Sequence, residues 1–124
     1  MTFHFDCVFY YVSDLERSIR FYRDVLGLNL NSQDIVARFD IDGVLFEIVP
    51  SHHESVKHHT GNARLCLGVD NVEEALKELQ ASGVQTGQAQ SKGTGRLACF
   101  EDPDGNEICR WEEITQTESG GRVK

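Results

Sequence analysis

The feature that most constrains this fold is a hairpin motif that occurs twice. Residues 100–111 are predicted to form a strand, a Pro103-Asp104-Gly105 turn and a second strand. The turn is predicted because proline presets one turn angle and glycine accepts a positive φ. Residues 39–49 repeat the pattern around Asp42-Gly43, and aligning the two turns gives an offset of 62 residues. Matching hairpins at corresponding points predict a chain built from two copies of one unit.

The first copy reads as β-α-β-β-β. Residues 6–12 are β-branched and aromatic, which favours a strand. Ser13 is the predicted N-cap of the following helix, with Glu16 completing a capping box. Apolar residues at helical spacing continue to about Leu26, and Gly27 is expected to end the helix in the left-handed conformation. Three further strands are predicted at residues 28–33, 35–41 and 44–49.

The second copy restarts the same order at an offset of 57 residues around the helix start. Asn71 is its predicted N-cap, and Gly83 is the predicted helix end. The buried face of this helix is predicted to comprise Val72, Ala75, Leu76 and Leu79. Strands are expected at residues 63–69, 84–87, 96–101 and 106–112, with a mobile glycine-rich loop at Ser91–Gly95.

These patterns predict one α+β domain of two βαβββ modules. Module one spans about residues 4–50, a linker 51–62, module two 63–114, and a frayed tail 115–124. The linker holds two histidine pairs, His52-His53 and His58-His59. Such pairs can bind transition metals, but a solvated loop, or a lid over the binding site, is the preferred interpretation because a flexible loop lacks preorganised supporting contacts.

Charge and cysteine usage narrow the function classes. The net charge of −8 disfavours nucleic acid and anionic membranes, and favours cationic or neutral ligands. The N-terminus lacks the features of a signal peptide, so a cytoplasmic protein is expected. The four cysteines show no CxxC spacing and are therefore expected to be reduced thiols.

Two segments resemble one known family. Val12–Leu28 is similar to the first helix segment of the vicinal oxygen chelate superfamily, and Asp102–Asn106 is similar to its final hairpin. This superfamily includes glyoxalase I, extradiol dioxygenases, fosfomycin resistance enzymes and bleomycin resistance proteins. The resemblance implies two modules with curved mixed sheets around a shared concave cavity, commonly completed in a homodimer. Fold alone does not specify the chemistry.

The resemblance also marks four positions where the enzymes of the family usually hold a divalent metal. In this chain they are Cys7 and Glu47 in the first copy, and Arg64 and Cys109 in the second. Only Glu47 keeps the usual ligand type. A guanidinium has no lone pair to donate, so Arg64 cannot coordinate a cation. No metal or other cofactor is therefore predicted.

Alternatives remain at these positions. Cys7, Cys109 and Glu47 could hold Zn²⁺ with Arg64 turned away. The preferred interpretation is that Cys7 and Cys109 are buried and act as small hydrophobic side chains. Arg64 could form an internal ion pair with Glu47, or it could grip a carboxylate or phosphate of a ligand.

Alternation along the strands extends the candidate site, because side chains two apart share a face. Aromatic walls from Phe9, Tyr11 and Trp111 would suit a planar or apolar ligand, although each ring alone could simply fill the core. The complete set of predicted ligand-binding residues is Cys7, Phe9, Tyr11, Leu45, Glu47, Arg64, Cys66, Glu107, Cys109 and Trp111.

The resulting hypothesis is a metal-independent small-molecule binding protein, in the style of the bleomycin resistance proteins. It would be a homodimer that sequesters a drug or metabolite. The alternative is an enzyme with an altered ligand set, such as a glyoxalase I-like lyase or a dioxygenase, or a metal-free isomerase with Glu47 as the catalytic base. A third possibility is a structural or regulatory dimer with a collapsed cavity.

Overall fold

The computed structural model describes residues 1–51 and 63–114, which form two compact units. The first unit holds residues 1–51 together with Pro103–Asn106. The second holds residues 63–102 and 107–114. The histidine-rich linker and the predicted frayed tail lie outside the described residues. Within the described residues, no helix has both the length and the apolar character needed to cross a membrane.

The first unit contains one helix and a four-stranded mixed sheet. The sheet order is β1-β4-β3-β2, with β1 parallel to β4 and the other pairs antiparallel. Its elements are β1 Val8–Val12, α1 Leu15–Arg20 with a π-helical continuation at Phe21–Val25, β2 Asn29–Gln33, β3 Ala37–Ile41 and β4 Val44–Pro50.

The start of α1 differs from the prediction by one residue. Asp14, not Ser13, is the N-cap, and its carboxylate accepts a hydrogen bond from the Arg17 amide at 3.1 Å. Asp14 competes well for this position because a carboxylate also complements the positive end of the helix dipole. The predicted end is confirmed, because Gly27 follows the π-helical turn with φ of 74°.

An aromatic cluster forms the core of the first unit. Tyr22, Phe39 and Phe46 are fully buried, and their rings lie 5.1–6.1 Å apart. Because Phe39 and Phe46 are direct partners across β3 and β4, both rings point to the side on which the helical segment packs. The opposite side of the sheet, facing away from its helix, is called the distal face.

The second unit repeats the arrangement. Its sheet order is β5-β8-β7-β6, with β5 parallel to β8. Asn71 caps α2 as predicted and accepts from the Glu74 amide at 3.0 Å, and the four predicted apolar residues of the helix are buried. The elements are β5 Leu65–Gly68, α2 Val72–Ala81, β6 Gln90–Lys92, β7 Gly95–Glu101 and β8 Glu107–Glu113.

One predicted strand is misplaced in the second unit. Residues 84–87 contribute only an isolated bridge from Thr86 to Phe100, and β6 forms at Gln90–Lys92, where a mobile loop was expected. The glycines obscured this strand, because Gly93 with φ of 57° and Gly95 flank a tight hairpin between β6 and β7. The α+β class and the doubled βαβββ order are otherwise confirmed.

The turn of the last hairpin belongs to the first unit. Asp104 is 4% exposed and accepts from the Ser13 amide at 3.0 Å and from the Ser13 hydroxyl. The Asn106 side-chain amide donates to the Tyr11 carbonyl oxygen at 3.0 Å. The Asp-Pro-Asp-Gly-Asn motif therefore anchors its turn beside the start of α1, a role beyond reversing the chain.

Candidate functional site

The distal face of the first unit carries an exposed aromatic pair beside an acid. Phe9 and Tyr11 are 47% and 51% exposed, and their rings meet edge to face at 5.4 Å. In the β1–β4 register Phe9 is the direct partner of Glu47. Leu45 is half-buried on β4, two residues before Glu47. These four predicted site residues are thus on one side of the same sheet.

Glu47 has a basic neighbour that the sequence interpretation missed. Arg38 lies opposite Glu47 on β3, with its Nε 3.4 Å from the carboxylate. The Arg38 guanidinium also contacts Asp34 at 3.1 Å. The two carboxylates and one guanidinium form a partly exposed cluster, so Arg38 joins the candidate site.

Cys7 precedes β1 and is half-buried. Desolvation raises the pKa of its thiol, and the negative charges of Glu47 and Asp6 raise it further. A raised pKa keeps the thiol protonated at neutral pH and makes it a weak nucleophile. The environment of Cys7 thus favours a neutral side chain in the site over a thiolate ligand.

An ion pair between Arg64 and Glu107 lies at one end of the distal face of the second unit, where β5 and β8 start. Arg64 also donates from Nη1 to the Ala63 carbonyl oxygen at 3.1 Å. Both residues belong to the predicted site, and both are about one-third exposed. The ion pair between Glu47 and Arg64 stays a prediction. Within its own unit, Glu47 contacts Arg38 and Arg64 contacts Glu107.

The expectation of four reduced cysteines is wrong. Cys99 and Cys109 form a disulfide, with their Cα atoms 4.1 Å apart. They are direct partners across the antiparallel β7–β8 pair, which brings their side chains together on one face. Cys109 is 5% exposed, so its expected burial is confirmed, but it is a disulfide sulfur instead of a small hydrophobic thiol. Cys66 keeps an exposed thiol.

Trp111 lies farther along the same distal face. Its indole Nε1 donates to Glu113 at 2.9 Å, so the polar end of the ring is satisfied. The ring crosses directly over Gly95, where a Cβ atom would overlap its benzenoid edge. Trp111 is half-buried, unlike the exposed Phe9 and Tyr11.

The donor chemistry at the four family positions does not fit a divalent metal. In the second unit, Arg64 has no lone pair to give and Cys109 is bonded to Cys99. The first unit offers only the Glu47 carboxylate and the Cys7 thiol, fewer than the three protein ligands of a catalytic zinc site. Among the described residues, no group of three or more His, Cys, Asp or Glu side chains is arranged to hold a metal ion.

Both of the missed residue pairs, Arg38–Glu47 and Cys99–Cys109, are symmetric about a hairpin turn. Arg38 stands four residues before Asp42, and Glu47 stands four after Gly43. Cys99 and Cys109 each stand five residues from Asp104. Residues equidistant from a hairpin turn face each other across the two strands, so the turn positions already indicated these pairs.

Similar proteins support one family for the whole described fold. A lactoylglutathione lyase of Haemophilus influenzae is 32% identical, covering 88% of this chain and 91% of the relative. An antibiotic binding protein from Streptomyces sp. CB03234, TnmS3, is 26% identical with a TM-score of 0.75, covering 90% and 97% of the two chains.

A lactoylglutathione lyase from Agrobacterium tumefaciens shares the fold at a TM-score of 0.72 and 19% identity, covering 88% and 92% of the two chains. The family model for the Glyoxalase/Bleomycin resistance protein/Dioxygenase superfamily matches residues 4–109. The order of elements, the two mixed sheets and these matches agree. The chain belongs to the Glyoxalase/Bleomycin resistance protein/Dioxygenase superfamily.

Proposed function

We propose that this protein binds a small organic molecule without a metal and acts by sequestration. The observation that carries the proposal is the chemistry of the second unit, where Arg64 replaces one family ligand and the Cys99–Cys109 disulfide occupies another. With both positions unsuited to coordination, binding would depend on apolar and polar contacts alone. The similarity to an antibiotic binding protein at 26% identity supports this class.

The distal face of the first unit suggests the kind of ligand. Phe9 and Tyr11 offer exposed ring surface, on which a planar aromatic molecule could stack. Glu47, the direct partner of Phe9, adds a carboxylate that would attract a cationic amine. The net charge of −8 would also favour cationic over anionic ligands. We therefore propose planar aromatic compounds, with a cationic amine as the preferred substituent.

A thermal-shift screen of metal-free protein tests the proposal. The probes are planar polycyclic aromatic compounds, each with and without a cationic amine, in the presence of EDTA. Binding to the native state should raise the melting temperature in a dose-dependent way. For any hit, Phe9→Ala and Tyr11→Ala should each raise Kd about 10-fold, since losing about 1.4 kcal/mol of stacking corresponds to that factor.

Ile35→Ala is the matched control, because Ile35 is 81% exposed in the same unit and lies outside the candidate site. This variant should bind like the unmodified protein.

A calorimetric titration with Zn²⁺ or Ni²⁺ tests the opposite possibility, that the protein binds a metal at the family positions. A tight 1:1 metal site that disappears in Glu47→Ala would overturn the proposal, and dependence on Glu47 separates it from metal binding by the linker histidines.

The second candidate function is a metal-dependent lyase, favoured by the 32% identity to a lactoylglutathione lyase and by the retained Glu47. The test is turnover of the hemithioacetal of methylglyoxal and glutathione with added Ni²⁺ or Zn²⁺. Activity that requires the metal and is lost in Glu47→Gln would establish this alternative. Lack of turnover in protein that passes the ligand-binding test would favour sequestration.

The proposal includes a homodimer, as the resemblance to the superfamily implies. Size-exclusion chromatography with light scattering should then give about twice the chain mass of 14.0 kDa. A monomer at micromolar concentration would contradict this part of the proposal without affecting the ligand-binding test.

A further inference from the structure

Three cysteines lie in one row across the sheet of the second unit. Cys66 on β5 is the direct partner of Cys109 on β8, and Cys109 is the direct partner of Cys99 on β7. Register partners on neighbouring strands point to the same face of a sheet. Cys109 is therefore the middle member of a row whose ends are Cys66 and Cys99.

The row holds one disulfide and one thiol. Cys99 and Cys109 are bonded, whereas Cys66 is outside the disulfide and exposed. Neighbouring strands are about 4.8 Å apart, which is within the Cα separation that a disulfide spans. A bond between Cys66 and Cys109 is therefore compatible with the existing strand pairing.

The order of the row also suits the exchange reaction. A thiolate attacks one sulfur of a disulfide along the axis of the bond that breaks. Because Cys109 lies between the other two cysteines, the attacking sulfur, the central sulfur and the leaving sulfur follow the order of the strands. No strand would need to cross another for the reaction to occur.

We propose that Cys66, Cys109 and Cys99 form a thiol–disulfide exchange site in which the disulfide moves between two positions of one sheet. The Cys66 thiol loses its proton to solvent, and its sulfur forms a bond to Cys109. The electron pair of the broken Cys99–Cys109 bond goes to the Cys99 sulfur, which takes up a proton from solvent. The chain gains and loses no electrons, so the step needs no external oxidant or reductant.

The exchange changes which thiol the second unit presents. In one isomer the thiol is on Cys66, which is exposed, and in the other it is on Cys99, which is half-buried. Cys109 stays oxidised in both isomers, so the family ligand position remains unavailable to a metal throughout. This inference is independent of the proposed ligand, because it involves neither Phe9 nor Glu47.

Peptide mapping after rapid alkylation at low pH tests the proposal. The protein carries Cys7→Ser so that only the three cysteines of the row remain, and it is held without denaturant at pH 8 before quenching. Trypsin releases Cys66 in residues 65–77, and both Cys99 and Cys109 in residues 97–110. A Cys99–Cys109 disulfide is thus internal to one peptide, whereas a Cys66–Cys109 disulfide joins two peptides.

In the Cys7→Ser protein, which keeps all three cysteines of the row, we expect both the Cys99–Cys109 and the Cys66–Cys109 disulfide. Cys99→Ser, treated with oxidised glutathione, should form the joined peptides in most molecules, and Cys66→Ser should give only the internal disulfide. Cys109→Ser should give neither, because Cys66 and Cys99 are two strands apart, about 9.6 Å, and a disulfide does not span that distance.

The Cys109→Ser variant also separates exchange in the folded sheet from scrambling in an unfolded chain. Joined peptides through Cys66 and Cys99 in that variant would indicate scrambling and would overturn the proposal. The proposal would also fail if two results occur together. In the Cys7→Ser protein Cys66 is fully alkylated, and in the Cys99→Ser variant no Cys66–Cys109 bond forms although the melting temperature is unchanged.

Discussion

The two copies treat one equivalent position on the distal face in different ways. In the first unit Glu47 on β4 is matched by Arg38 on β3, a partly exposed ion pair at 3.4 Å. In the second unit Cys109 on β8 is matched by Cys99 on β7, through a disulfide. Each pair bridges the two strands of a hairpin, and Glu47 and Cys109 each stand four residues after the turn glycine.

The repeat thus preserves the backbone register more strictly than the side-chain chemistry. A cross-strand pair at this point can be ionic or covalent, because the backbone register fixes only that two side chains meet. The ionic pair leaves a carboxylate that could contact a ligand, whereas the disulfide bonds both sulfurs of its pair to each other. The first unit therefore keeps a carboxylate at the position where the second unit has a disulfide sulfur.

The largest effect is expected from removing the covalent pair. The double variant Cys99→Ser/Cys109→Ser should lower the free energy of unfolding by about 2–4 kcal/mol, because the disulfide restricts the unfolded chain. Urea denaturation with and without reductant measures this difference. Arg38→Gln, which breaks the ionic pair, should cost at most about 1 kcal/mol. Equal losses in the two variants would contradict the distinction.

The next effect compares the two hairpin turns. Asp104 is buried and hydrogen-bonds Ser13, whereas Asp42 is exposed. Asp104→Ala should lower the free energy of unfolding by about 1.5–3 kcal/mol, the usual range for hydrogen bonds to a charged group. Asp104→Asn should recover part of the loss by retaining one acceptor. Chemical denaturation measures both, and an Asp104→Ala protein of unchanged stability would show that the anchored turn is not stabilising.

A matched glycine pair tests the packing of Trp111. A Cβ at Gly95 would overlap the Trp111 ring and the Glu112 carbonyl oxygen, whereas a Cβ at Gly87 would meet its nearest atom at 3.5 Å. Gly95→Ala should destabilise the protein by about 1–3 kcal/mol through overpacking. It should also alter tryptophan fluorescence. Gly87→Ala should change the free energy of unfolding by less than about 0.5 kcal/mol, and a similar loss in both would refute the close approach.

The smallest effect concerns the pKa of Cys7. Desolvation and the charges of Glu47 and Asp6 raise this pKa, so Glu47→Gln should lower it by removing one of these charges. The pH dependence of the rate of Cys7 alkylation, measured in a Cys66→Ser protein, reports the midpoint. The midpoint should lie above that of an exposed thiol and shift to lower pH in Glu47→Gln. A shift to higher pH would contradict the assigned cause.

The local features of this protein follow directly from its amino-acid sequence. The doubled βαβββ order, the Asn71 cap, the glycine helix end at Gly27 and the apolar faces of both helices follow from residues close together in the chain. Turn chemistry and side-chain periodicity are local, so they can be read without knowing the partners. Counting residues from the two turns also predicts the hairpin partners Arg38–Glu47 and Cys99–Cys109.

The contacts between distant segments depend on how the chain folds in three dimensions. Ser13 and Asp104, separated by 91 residues, meet because the last turn folds against the start of α1. Arg64 meets Glu107, and Cys66 lies beside Cys109, because β5 and β8 pair in parallel. Parallel strands have no connecting hairpin that sets their register, so the sequence leaves these pairs open until the sheet has formed.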